Sequence, residues 1–141
     1  MKAYKIVLTA LLATSCVTPH QNNHSDVQSG TSERPSPGST QKLRAPISLA
    51  DGLEVIISDV VIPPNAVVPR HYHPGEEFIY VIEGSARHIE KGKADLILEA
   101  GDAYVIPPGA EHAPRGGPDG ARAVVFRIHV EGKDERTLVE E

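Results

Sequence analysis

Residues 70–84 read RHYHPGEEFIYVIEG. His71 and His73 stand two apart, and the carboxylate of Glu77 follows four residues later. Strand side chains alternate between faces, so His71, His73 and Glu77 share parity. They can point into one space even where Pro74-Gly75 bends the chain between them. Imidazole nitrogen and carboxylate oxygen are donors that suit Fe, Mn, Ni, Cu or Zn. Ligand distances of about 2.0–2.2 Å leave little slack, and strands hold such donors more stiffly than loops. Arg70, Tyr72 and Glu76 have the opposite parity, which assigns Arg70 to the surface, Tyr72 to packing and Glu76 away from the donors. An isolated H-x-H is usually a surface or core feature, so its weight here depends on what surrounds it.

Outward from this stretch the chain reads as short strands. Glu77–Ile82 (EFIYVI) is apolar on both faces except for Glu77, and it ends at Gly84. Such a run expects burial on both sides, one under an opposite sheet and the other under a partner subunit. Leu53–Ile62 (LEVIISDVVI) and Ala121–Val130 (ARAVVFRIHV) are β-branched runs of the same kind. Ala86–Glu90 and Ala94–Leu98 flank the turn Lys91-Gly92-Lys93, and Ala103–Ile106 precedes Pro107-Pro108-Gly109. The tetrapeptide VIPP occurs at Val61 and at Val105, and proline removes ladder donors, so both copies end a strand. No helical period emerges between Leu43 and Gly132. Many short strands with Gly/Pro turns predict an all-β sandwich or barrel.

Two spaced motifs resemble those of the cupin superfamily. The first runs glycine, five residues, H-x-H, three or four residues, Glu, six residues, glycine. His71, His73, Glu77 and Gly84 fit it, while Asn65 takes the opening glycine's place. Asn tolerates left-handed backbone better than most residues. The second runs glycine, five residues, P-x-G, two residues, His, three residues, Asn. Gly101, Pro107, Gly109 and His112 fit it, and Gly116 takes the place of the Asn, one turn-former for another. The resemblance spans roughly Ile47 to Val130. It implies a small jelly-roll β-barrel, the double-stranded β-helix, often a homodimer. It also implies that His71, His73, Glu77 and His112 hold one divalent transition metal, with two coordination positions open. The ligand would be a small, oxygen-rich molecule.

The resemblance leaves the reaction open. A dioxygenase, a lyase or isomerase acting on a sugar acid or small carboxylate, and a non-catalytic sugar- or metal-binding module all fit. Acid–base chemistry needs a titrating group beyond the ligands. His88, Tyr104, Arg127 and His129 are the cavity candidates for such a group or for holding a substrate.

The chain has 141 residues and a formal net charge of −5, with no basic patch, which argues against a nucleic-acid partner. Residues 1–15 combine Lys2 and Lys5 with a short apolar run and read as a signal peptide. Cys16, the only cysteine, follows directly and resembles a bacterial lipoprotein lipidation site, although Ala13 stands where that pattern prefers Leu. The expected location is the periplasm or outer membrane by lipid anchor, or else secretion after ordinary cleavage. Residues 16–42 are rich in Ser, Thr, Pro and Gly and predict a flexible tether. The barrel is expected over residues 43–132, with a charged tail at 133–141, frayed or packed along an edge.

Overall fold

The computed structural model describes residues 35–140. The signal peptide, Cys16 and most of the tether lie outside the described residues. Eight strands and no helix form within them. They are β1 Gly38–Pro46, β2 Leu53–Ile62, β3 His71–Tyr72, β4 Glu77–His88, β5 Leu96–Glu99, β6 Ala103–Ile106, β7 Arg115–Val130 and β8 Thr137–Leu138. All strand pairs are antiparallel. The main sheet runs β1-β2-β7-β4-β5, with β6 on β4 beside β5, and β3 pairs with β8. Isolated bridges from Val67 to Arg115, and from His112 to both His71 and Glu90, tie the far side together. The result is an all-β jelly-roll barrel.

Both VIPP segments behave as proline chemistry requires: β2 stops at Ile62 and β6 at Ile106. Gly84 does not end its strand. β4 runs on to His88, with register shifts flanking Gly84. Gly84 has φ +68°, and a Cβ there would lie 2.1 Å from the Gly120 carbonyl oxygen, so glycine admits a bulge within a long strand. Asn65 takes φ 58°, the left-handed backbone that its place in the first motif requires. Gly116 departs from the turn expected of it. It lies inside β7, where a Cβ would come within 2.2 Å of the Pro63 carbonyl oxygen, so it serves close backbone approach.

Two boundaries move. The tether read over 16–42 reaches too far, because Gly38–Gln41 already pair with β2. Pairing supplies the backbone bonds that this polar stretch lacks in isolation. The charged tail packs: β8 adds to β3, and the Val139 N–H donates to the Arg70 carbonyl at 3.0 Å.

The inner side of the sheet carries Ile56, Ile62, Val81, Ala86, Ala121, Ala123 and Val125, all buried. The outer side of EFIYVI is open in the single chain, the face expected from the sequence to lie under a partner subunit. Register aligns Leu43, Ile57, Phe126, Phe78 and Val105 in one row across five strands. Apart from Ile57 these are 41–48% exposed, and Tyr80 beside them is 49% exposed.

Candidate metal centre

Three histidines from two segments converge inside the barrel. β3 supplies His71, the turn after it His73, and the segment after β6 His112. His71 and His112 are also backbone partners, exchanging N–H···O bonds of 3.0 and 2.9 Å. Ring centroids are 4.3 Å apart for His71 and His112, and 4.9 Å for His71 and His73. One ring nitrogen from each lies within 4.8 Å of the others.

The second nitrogen of each ring is occupied. His71 Nδ1 lies 2.8 Å from the Pro69 carbonyl, His73 Nδ1 2.5 Å from that of Glu135, and His112 Nδ1 2.9 Å from that of Ala110. A carbonyl only accepts, so each Nδ1 carries the proton and donates. Each neutral ring is left with a lone pair on Nε2, the tautomer that a metal-binding imidazole needs. Burial holds the His71 imidazole down to about 4, against its Pro69 hydrogen bond, and neighbouring His112 and His73 add to the shift. Burial likewise lowers His112. Both rings are therefore neutral, and able to ligate, at ordinary pH.

Glu77 completes one side. Burial alone would raise its carboxyl. The neighbouring His73 and the Arg127 guanidinium outweigh burial and hold it at about 2. Arg127 Nε donates to Glu77 Oε2 at 2.5 Å, and Arg127 Nη1 to Glu135 Oε1 at 2.7 Å. The same Glu77 oxygen stands 3.1 Å from His73 Nε2. With Nδ1 protonated, that nitrogen is a buried acceptor with no hydrogen-bond donor, facing another acceptor. A proton or a cation must resolve this contact. Two ligands set at right angles, each about 2.1 Å from one ion, stand about 3 Å apart, so the pair fits a shared metal. Glu77 is not one of the three residues whose donors mutually cluster; its carboxylate bonds Arg127 and lies against His73.

The four cavity candidates separate. An interior cavity of about 160 Å³ is walled by His88 and Arg127 together with His71, Glu77 and His112. His129 is buried on the same side of β7 as Arg127 but does not line that cavity, and its Nε2 donates to the Lys133 carbonyl at 3.1 Å. Tyr104 stands behind His88, with ring centroids 4.9 Å apart, and its hydroxyl reaches Glu90 Oε2 at 3.4 Å. Arg70 is half-buried, with Nη1 enclosed and unpaired, instead of lying at the surface.

Three residues escape a reading of the sequence. Glu90 is a buried carboxylate whose Oε2 accepts from His88 Nε2 at 3.2 Å and whose Oε1 meets Lys93 Nζ at 2.8 Å. Burial would raise Glu90, but hydrogen bonds from Lys93 and His88 lower it, so it is ionised. Its signal was available, because Glu90 shares strand parity with His88. Glu135, from the tail, touches both His73 and Arg127 across 62 and 8 residues. Ser58 Oγ is buried without a partner among the described residues. Neither has a local signal.

Residues 58–131 match the Cupin domain family. The chain belongs to the cupin family. Solved structures agree. A cupin-like protein from Thermotoga maritima aligns at 28% identity and a TM-score of 0.54, covering 62% of this chain and 65% of that one. DMSP lyase DddQ from Ruegeria pomeroyi aligns at 26% identity and 0.53, covering 64% and 44%. A conserved protein with a double-stranded β-helix domain from Klebsiella pneumoniae reaches 0.57 at 23% identity, covering 77% and 90%, which bears on the fold alone. The alignment spans less than two thirds of the Thermotoga and Ruegeria chains. Within this cupin, the three-histidine cluster is a candidate metal site.

Proposed function

We propose that this cupin is a metal-dependent lyase or isomerase that removes a proton beside the carbonyl or carboxylate of a small molecule. The observation that carries this reading is His88 on the cavity wall, backed by Glu90. Oxygen chemistry and simple binding need no such base. His71, His73, His112 and Glu77 would hold a divalent transition metal, which when bound supplies Lewis-acid polarisation of a chelated oxygen. The His88 Nε2–H donates to ionised Glu90, so Nδ1 keeps a lone pair. His88 takes the substrate proton, and the electrons of the broken C–H bond form the new double bond. In an elimination the β-substituent leaves with its bonding pair. Glu90 stabilises the resulting imidazolium, and Tyr104 and Lys93 hold Glu90 in place. The likeness to a DMSP lyase supports a lyase over a dioxygenase.

The test is solvent-deuterium exchange. Protein loaded with Zn, Mn or Fe is incubated in D₂O with 3-hydroxybutyrate and related small carboxylates, and proton NMR follows the C–H beside the carboxylate. Exchange or elimination that His88→Ala abolishes with metal retained supports the reading. Oxygen uptake without exchange would replace it with the dioxygenase reading.

A second copy of the chain is the proposed protein partner. Copies that each carry −5 repel, and the apolar row from Leu43 to Val105 lets two meet without opposing like charges. Export with anchoring through Cys16 is proposed on the leader alone.

A further inference from the structure

The cavity beside the histidines is mostly hydrocarbon, with His71, Glu77, His88, His112, Arg127 and Arg136 as its charged or imidazole walls. Ile62, Ile79, Val81, Leu98, Ala123 and Val125 are among its walls. Its polar side chains gather at one end, where His71 and Arg127 are shared with a second, polar hollow of about 390 Å³. That hollow takes in His73, Glu135, Arg136 and Ser58, whose buried Oγ has no partner. The space thus has a dry aliphatic end and a wet, donor-bearing end that meet at the histidines.

From this division we infer that the ligand is a small carboxylate or α-oxo acid with a compact, branched hydrocarbon body. The inference rests on the metal-site reading given above and names the substrate class of that site. Size sets one bound. An apolar cavity of about 150 Å³ accepts a guest the size of benzene, so about 160 Å³ holds roughly six carbon atoms. A flavonol ring system exceeds this aliphatic end. Chemistry sets the other bound. A sugar acid carries a hydroxyl on nearly every carbon, and the aliphatic part of the wall, Ile62, Ile79, Val81, Leu98, Ala123 and Val125, offers those that lie against it no side-chain partner. Each hydroxyl buried unpaired weakens binding roughly tenfold or more. The oxygen head belongs at the other end, where Ser58 Oγ has no partner among the described residues and Arg136, which borders both hollows, brings positive charge. The sugar-acid branch of the reaction classes is therefore disfavoured.

Two probes share a carboxylate with an oxygen on the next carbon and differ in body: 3-methyl-2-oxobutanoate, which is branched and aliphatic, and gluconate, which is polyhydroxylated. Binding to the metal-loaded full chain is read by calorimetry and by ligand-observed NMR, with metal content from elemental analysis. The expected result is at least tenfold tighter binding of 3-methyl-2-oxobutanoate. Ala123→Leu fills the cavity and is expected to weaken that probe at least tenfold with metal retained. Should Ala123→Leu fail to fold, Val125→Ala enlarges the same wall and is expected to admit phenylpyruvate, which the parent protein rejects. Gluconate binding as tightly, or no binding of either probe, with metal retained overturns the inference and leaves the metal reading standing. A parent protein that takes up no metal overturns both.

Discussion

Replacing Arg127 by Met separates the part Arg127 plays in the empty barrel from its part beside a cation. Arg127 is 8% exposed and bonds Glu77 and Glu135. Glu77 sits at about 2 instead of the usual 4.5, and that gap is worth about 3 kcal/mol in favour of the charged form. His73 and Arg127 both contribute to it. Arg127→Met keeps the aliphatic bulk and strands a buried carboxylate, a change that typically costs about 3–5 kcal/mol. Using about 3 kcal/mol, and roughly 4–8 °C per kcal/mol for a domain near this size, Tm of the metal-free protein should fall by roughly 12–24 °C. A metal touching Glu77 replaces the lost positive charge. The Tm loss in saturating Zn or Mn should therefore be less than half as large, and metal affinity should rise, because one repelling cation is gone. Calorimetric melts of both proteins, metal-free and metal-saturated, measure the four values. Equal losses with and without metal would refute the reasoning and remove Glu77 from the ligand set.

Acid should destabilise the metal-free barrel in two stages. The unfolded chain protonates His71 near 6.5 but the fold resists to about 4, so about 3 kcal/mol is lost as pH falls across that window. Glu77 adds a second loss as pH falls from 4.5 towards 2, because its folded value lies below its unfolded one. Urea midpoints against pH measure both, and His71→Ala should flatten the upper stage. Phe126→Glu places a charge in the middle of the exposed apolar row and should turn a dimer into a monomer in sedimentation; an unchanged mass would dismiss that face as the contact. Cys16→Ser should abolish incorporation of labelled palmitate in a bacterial host, and a parent protein that takes up no label would remove the anchor.

Much of the fold was legible because its cues are local. Proline and glycine end or bend strands wherever they stand, so both VIPP stops could be read along the chain. Motif spacing singled out His71, His73, Glu77 and His112, but β3 ends at Tyr72 and β4 starts at Glu77, so the turn between them, and not strand parity, sets His73 beside Glu77. Gly84 misled for a physical reason: left-handed backbone serves a turn and a bulge equally, and only pairing with β7 selects the bulge.

By itself, then, the sequence determined an all-β chain with a cluster of metal-type donors, since periodicity and breakers act within a few residues. Tertiary structure alone decided which neighbours those donors have. Arg127 meets Glu77 across 50 residues, and Glu135 meets His73 across 62. Glu90 comes to lie against His112 only when the barrel closes. The open apolar face is likewise a product of register, which sets five strands side by side before any one of them can show which surface is left uncovered.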